Sequence, residues 1–405
     1  MMARKPMRDL TVEQQLARGP MDLPFLMLVV MLVGIGLIVV FSASYAAAYY
    51  DEKISSPLFY VQRQAIFAAL GLFVMYVVSR VNYQKLRWLS VPMLLGTIVL
   101  LVLVLTPLGV ELNNAKRWLK LLLVAGPTYQ PSELAKVSVI VFFAARLSKR
   151  TTEKKRKFST RSFSGRALNF MEKIGLLELL PYIGVLGLVL LLVVKEPHMS
   201  GTILIMVGAG AVLFAAGINL AWFLGVGGAA VGGLAAIIFL TPYMTKRVEL
   251  WLDPWIDPQG KGFQTIQSLL AIGSGGWFGK GFGNSAQKFE FLPEPENDFV
   301  FSVAVEELGF VGGALILILF MLLILRGYWL ALHSRDKFGS LLIVGIMALL
   351  SVQVFFNIGV VTNLIPNTGI SLPFFSYGGT ALVIHLAEMG VVLSVSRQIP
   401  APKKD

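Results

Sequence analysis

Phe282-Gly-Asn-Ser-Ala-Gln-Lys-Phe-Glu-Phe-Leu-Pro-Glu-Pro-Glu-Asn-Asp298-Phe-Val-Phe301 leads, past Glu306-Glu-Leu-Gly309, into an apolar segment that continues to residue 325. A polar loop crowded with carboxylates thus ends where a helix of membrane-crossing length begins, since roughly 20 apolar residues span the hydrocarbon core. Pro293 and Pro295 bias the approach toward extended backbone. Asp298 then sits at the helix mouth, where partial desolvation raises a carboxyl toward the range useful for proton abstraction. The competing reading is a helix cap, in which Asn297 or Asp298 satisfies the free N–H groups of the first turn.

Outward from this junction, composition agrees with the fold class. The chain has 405 residues, 56% hydrophobic and only 14% charged, with mean hydropathy +0.73, far too apolar for a water-soluble domain of that size. Alternating ten-residue segments of the barrel type are not evident, so the expectation is an all-α polytopic membrane protein. The absence of Cys excludes disulfides, thiolate metal sites and thiol nucleophiles. No short apolar core with a small-residue cleavage site opens the chain, so the first span reads as a retained anchor.

Apolar runs predict ten spans, at 24–45, 58–79, 88–109, 131–147, 177–194, 199–216, 220–240, 298–325, 339–362 and 375–396. They form one membrane domain over 24–396, with tails at 1–23 and 397–405, a basic loop at 148–176 and a large loop at 241–297. Lys and Arg number four before the first span, three in 80–87, ten in 146–173, three in 326–337 and three after 396, which is 23 of the 35. These segments share one side, so both termini are expected in the cytoplasm. The net charge of +12 lies in these loops without a groove-reading module, which argues against nucleic acid. Lys149 to Lys173 reads as a topology signal that also attracts anionic lipid, with 161–173 as a candidate interfacial helix.

The 241–297 loop, with Trp251, Trp255 and Trp277, reads as a structured cap on the opposite side. Its Gly273-Ser-Gly-Gly-Trp-Phe-Gly-Lys-Gly-Phe-Gly283 stretch follows no predicted strand and lacks the Gly-Lys-Ser/Thr ending, so it reads as tight turns rather than a phosphate loop. Polar residues inside spans are costly and mark internal cavities. Gln130-Pro-Ser-Glu133-Leu-Ala-Lys136 opens the fourth span, with Glu133 and Lys136 on one face at i and i+3. Topology brings Arg117, from Lys116-Arg-Trp118, to the same outer boundary as Glu133, Lys136 and Asp298. The ninth span carries Gln353 and Asn357 one turn apart, and its exit loop, Asn363 to Gly379, is broken by Pro and Gly. His385 and Glu388 read as an internal pair, and the three His show no metal-ligand spacing.

The run Leu292 to Phe301 with Glu306 to Gly309, the Lys116-Arg-Trp118 and Gln130 to Lys136 elements, and Pro373-Phe-Phe-Ser-Tyr-Gly-Gly379 resemble the SEDS family (shape, elongation, division and sporulation), in order and over nearly the whole chain. Trp255 to Gln264 and Gly281 to Lys288 look closer to its division and sporulation branches than to the elongation branch. The resemblance implies a ten-helix peptidoglycan glycosyltransferase that polymerises lipid II into nascent glycan on the outer face of the bacterial plasma membrane. It implies a class B penicillin-binding transpeptidase as partner, within a division or sporulation complex. By matching position Asp298 is the family's essential carboxylate and the candidate base. Arg117 and Lys136 are candidates to receive the leaving pyrophosphate, with Lys288 and Arg247 beside them, Glu133 holding Lys136, and Gln130 and Ser376 adding polar groups. A divalent cation, Mg or Mn, is expected to assist, and no organic cofactor. Glu296-Asn297 stands where many members carry His-Thr, and Asn367-Thr368 where some place a Lys, so no role is carried over there. A lipid II flippase, expected to show paired inverted repeats and broken helices, and a scaffold that only recruits the transpeptidase are the competing functions.

Overall fold

The structure, a computed structural model, describes residues 19–50, 56–112, 115–120, 128–149, 169, 171, 175–196, 198–225, 227–228, 232, 248–260, 262–289 and 291–399. Seven described helices are long and apolar enough to cross a membrane: α1 (Leu23–Tyr50), α2 (Phe59–Arg80), α3 (Lys85–Leu105), α5 (Leu176–Lys195), α8 (Val300–His333), α9 (Lys337–Val361) and α10 (Gly379–Ser396). Two 17-residue helices, α4 (Pro131–Leu147) and α6 (Met199–Ala215), pack among them. These nine coincide with nine of the expected spans. The remaining one, 220–240, lies largely outside the described residues, as do 161–173 and Arg247.

α9 lies at the centre, touching α4, α6, α8 and α10. Small residues let it do so: a Cβ on Gly345 would stand 2.6 Å from Ile140 of α4 and 2.8 Å from Val212 of α6. In a bilayer, where apolar side chains gain little by leaving lipid, such close backbone approach drives helix association. α2 and α10 pair in the same way, with Gly71 against Leu386 and Gly390 against the Met75 carbonyl.

Between α3 and α4 the chain forms a small antiparallel sheet in the order β1 (Gly109–Leu112), β2 (Ala115–Lys120), β3 (Thr128–Tyr129). No strands were expected there. The large loop contributes a capping helix, α7 (Phe263–Ser274), whose Ser268 hydroxyl lies 2.7 Å from Ser302 Oγ and donates to the Val361 carbonyl at 2.7 Å, seating it on α8 and α9.

The Gly-rich stretch after α7 docks on a break in α8. Gly309 there has φ 73° and ψ −176°, outside the helical region. The break frees carbonyls that the loop satisfies: Lys280 N–H donates to Glu306 O at 3.0 Å and Gly281 N–H to Glu307 O at 3.1 Å. Gly276, Gly279, Gly281 and Gly283 all have positive φ, as tight turns require. Glu306 accepts from Lys280 Nζ at 2.6 Å, from Ser285 Oγ, and from the Ala286 N–H at 3.2 Å, fixing the loop to the helix.

Candidate active site

Asp298 lies in the loop ahead of α8 and does not cap it: the N-cap is Phe299, with no side-chain cap bond. Its position is fixed through the backbone. Asn357 of α9 donates from Nδ2 to the Asp298 carbonyl at 2.7 Å and to the Ile370 carbonyl at 2.9 Å, binding the loop before α8 to the exit loop of α9. Tyr377 N–H adds a second tie to the Glu296 carbonyl at 2.8 Å. The clamp brings Asp298 Oδ2 against the backbone of Gly369, where an added Cβ would stand 3.4 Å away.

The half-buried carboxyl of Asp298 is pushed up to about 6, by burial first and the charge of Glu294 second, with Arg117 opposing. Burial and neighbouring charges, not hydrogen-bond donors from the described residues, set its state. Arg117 projects from β2, and its Nε donates to the Glu196 carbonyl at 3.3 Å. Burial lowers its pKa while Glu196 and Asp298 oppose that shift, and a guanidinium stays charged throughout. It therefore stands between two carboxyl groups.

Glu196 is fully buried in the turn between α5 and α6, and neither carboxyl oxygen has a partner among the described residues. Burial pushes it up to about 8, against Arg117, so it holds a proton at neutral pH. Two residues on, His198 Nδ1 lies 3.0 Å from Ser132 Oγ and 3.4 Å from Gln130 Nε2. Burial pushes its imidazole down to about 4, so it is neutral there. Glu196 thus holds Arg117 on one side, and His198 the start of α4 on the other.

α4 then presents Glu133 and Lys136, both buried, 2.7 Å apart. His198 and His385 are within electrostatic reach of Glu133. His385 Nδ1 also lies 3.1 Å from Glu388 Oε2, the internal pair that the i, i+3 spacing predicts.

Of the residues singled out by sequence, the structure gathers Asp298, Arg117, Gln130, Glu133 and Lys136 at one end of the bundle. It does not bring Lys288 to them. That ammonium is buried 2.9 Å from Glu307 Oε1 and also donates to Ser42 Oγ and the Gly283 carbonyl, so it is taken up in the packing of the loop against α8 and α1. Ser376 Oγ accepts the Leu372 N–H at 2.7 Å and its carbonyl accepts from Gln64, closing a turn. Glu196 and His198 were not anticipated. Their only sequence signal is Lys195-Glu-Pro-His198, a four-residue polar break between two apolar runs. Among the described residues no three His, Asp or Glu cluster as a metal site would require.

Fold and site together define a polytopic helical membrane protein with a carboxylate and cation pair at one end of its bundle. The chain belongs to the FtsW/RodA/SpoVE family, whose family model, described as cell cycle protein, matches residues 23–400. It is 41% identical over 380 residues to the stage V sporulation protein E of Bacillus subtilis, covering 93% of this chain and 97% of that one. It is 38% identical to a probable peptidoglycan glycosyltransferase FtsW of Geobacter sp. strain M18, with the same coverage of 93% and 97%. Among solved structures it resembles a chain of a peptidoglycan synthase complex that coordinates polymerization and crosslinking (TM-score 0.69, 31% identity, 95% of this chain and 99% of that chain). It also resembles the rod shape determining protein RodA of Thermus thermophilus (TM-score 0.59, 27% identity, 94% and 98%).

Proposed function

We propose that the chain is a peptidoglycan glycosyltransferase that polymerises lipid II, with Asp298 as general base. The observation that carries this reading is the Asp298 carboxyl itself, raised to about 6 and faced by Arg117, on a residue whose backbone carbonyl is clamped by Asn357. A base of that strength is mostly ionised at neutral pH yet more basic than a free carboxylate, which suits proton abstraction. It takes the proton of the acceptor sugar's 4-hydroxyl. The oxygen attacks the anomeric carbon of the lipid-linked donor, the bond from that carbon to the diphosphate breaks with inversion, and undecaprenyl diphosphate departs as an anion. Arg117, within electrostatic reach of Asp298, is the cation that takes up that charge, and buried Lys136, paired with Glu133, adds to the positive field, the effect that dominates when the leaving group is already a good anion. Glu133 fixes Lys136, and neutral His198 fixes the start of α4.

A divalent cation, Mg or Mn, bound to the substrate's diphosphate would add to this charge stabilisation. The distribution of Lys and Arg supports cytoplasmic termini and an outward-facing Asp298. The likeness to a chain that works in a polymerising and crosslinking complex supports a class B penicillin-binding transpeptidase as partner.

The test combines purified protein, its partner transpeptidase, lipid II and divalent metal, and compares wild type with Asp298→Ala and Asp298→Asn. Glycan chains from wild type and none from either variant are expected. Equal polymer from all three would remove Asp298 from the chemistry.

A further inference from the structure

At the end of the bundle opposite Asp298, the start of α3 and the end of α4 enclose a cavity of about 430 Å³, within the roughly 300–1,000 Å³ of small-molecule sites. Arg87, Trp88 and Ser90 line it from α3, Ala145 and Arg146 from α4, and Lys149 from the turn just after α4. Among the described residues, three cations and no carboxylate line this space. Arg87 is anchored at the back, 3.3 Å from Asp336 and over the Phe338 ring, so the protein itself balances one of the charges. Arg146 and Lys149 meet no carboxylate among the described residues. The carbonyl end of α4, the usual intramolecular partner of cations placed there, is already closed: Ser148 N–H donates to Ala144 O at 2.9 Å, Ser148 Oγ–H to Ala145 O at 3.1 Å, and Lys149 N–H to Arg146 O at 3.3 Å.

We propose that this cavity binds the phosphodiester headgroup of an anionic phospholipid in the cytoplasmic leaflet. The charge fits, since a phosphodiester supplies one negative charge and several acceptor oxygens to an arginine fork and an ammonium. An apolar path favours a lipid over a free phosphate. Trp88 and Val91 at the cavity continue along α3 as Leu95, Val99 and Val102, spaced to share one face, and all are exposed. Acyl chains extend along that stripe from a headgroup held by the cations, while Trp88, 88% exposed, occupies the interfacial level where indoles gather. Basic pockets between helices on this side of a membrane are where anionic headgroups are recognised. The site is remote from Asp298 and does not depend on the glycosyltransferase reading.

Full-length protein in detergent, titrated with phosphatidylglycerol and followed by native mass spectrometry, tests the proposal. Phosphatidylcholine and water-soluble glycerophosphoglycerol are the comparison ligands. Wild type should retain phosphatidylglycerol selectively, and Arg146→Gln with Lys149→Gln should raise its half-saturation roughly tenfold or more, each lost cation weakening the contact. The charge-preserving pair Arg146→Lys with Lys149→Arg should keep it within a few-fold, which separates loss of charge from loss of fold. Unchanged retention in the Gln pair, or equal retention of phosphatidylcholine by wild type, would overturn the site. Glycerophosphoglycerol binding as tightly as the lipid would overturn the acyl-chain stripe and leave a soluble phosphate as ligand.

Discussion

Asp298 has to be ionised to accept a proton, and its carboxyl is pushed up to about 6, well above the roughly 3.9 of a free aspartate. The rate of glycan formation should therefore climb as pH rises through about 6 and level off above it. Arg117→Gln removes the cation that opposes the shift, so the inflection should move to higher pH, whereas Arg117→Lys should move it less. An inflection that stays in place in Arg117→Gln would separate the two residues. Glu196 makes a different prediction, read on stability. Its folded carboxyl titrates at about 8 against roughly 4.3 when unfolded, so between those values the native state binds more protons. The stability it contributes is fully present below the unfolded value and is lost as pH rises through about 8. Glu196→Gln cannot lose a proton, so its Tm advantage over wild type should open as pH rises from about 4.3 to about 8 and stay level above that in thermal melts; a pH-independent difference would contradict the buried neutral carboxyl. At this scale the sequence exposes Asp298, Arg117, Glu133 and Lys136, because charges at membrane boundaries stand out against apolar runs. Glu196 stays hidden because its meaning comes from Arg117, 79 residues away, across a sheet that composition does not announce.

Helices of membrane length are legible because twenty apolar residues have few other fates, and nine of the expected spans are present as helices. The strands are not, since Ala115–Lys120 and Thr128–Tyr129 are too short to carry a pattern. The break in α8 is likewise invisible, because Gly309 stands in a sequence that reads as continuous helix. Its cost of replacement is readable from the structure. A Cβ at Gly309 would lie 2.3 Å from Gly279 N and 2.5 Å from Trp277 O, at a φ of 73° that side chains rarely adopt. Gly309→Ala should therefore push the Gly-rich loop off α8 and cost about 3 kcal/mol or more. The expected readout is a lower Tm together with new proteolytic cleavage within 276–283. An unaltered melt and cleavage pattern would mean that the break does not depend on glycine. The loop that docks on this break also carries Lys288, which is why that residue, legible as a cation near Asp298 in the sequence, faces Glu307 instead, beside the Ser285 N–H that donates to Glu307 Oε1 at 3.3 Å.

The bundle is tied at both ends by buried charge, and the two ties share no residue. At the Asp298 end, Lys288 Nζ joins Glu307 at 2.9 Å and Ser42 at 3.0 Å, holding the large loop, α8 and α1 together. At the other end, fully buried Asp336 accepts from Tyr83, from Gln84 Nε2 at 3.0 Å and from Arg87 at 3.3 Å, holding the α2–α3 turn to the start of α9. Removing one partner of a buried pair leaves the other charge without compensation and costs about 3–5 kcal/mol. Lys288→Met alone should therefore be strongly destabilising, and Lys288→Met with Glu307→Gln much less so, since the second change removes the stranded charge. Asp336→Ala should carry a separate penalty. Distant sites without common partners add to within about 0.5 kcal/mol, so Lys288→Met with Asp336→Ala should lower Tm by nearly the sum of the two single shifts in one detergent. A double variant that melts no lower than the worse single would show that one end unfolds before the other, and the bundle would then be two cooperative units joined through α8 and α9.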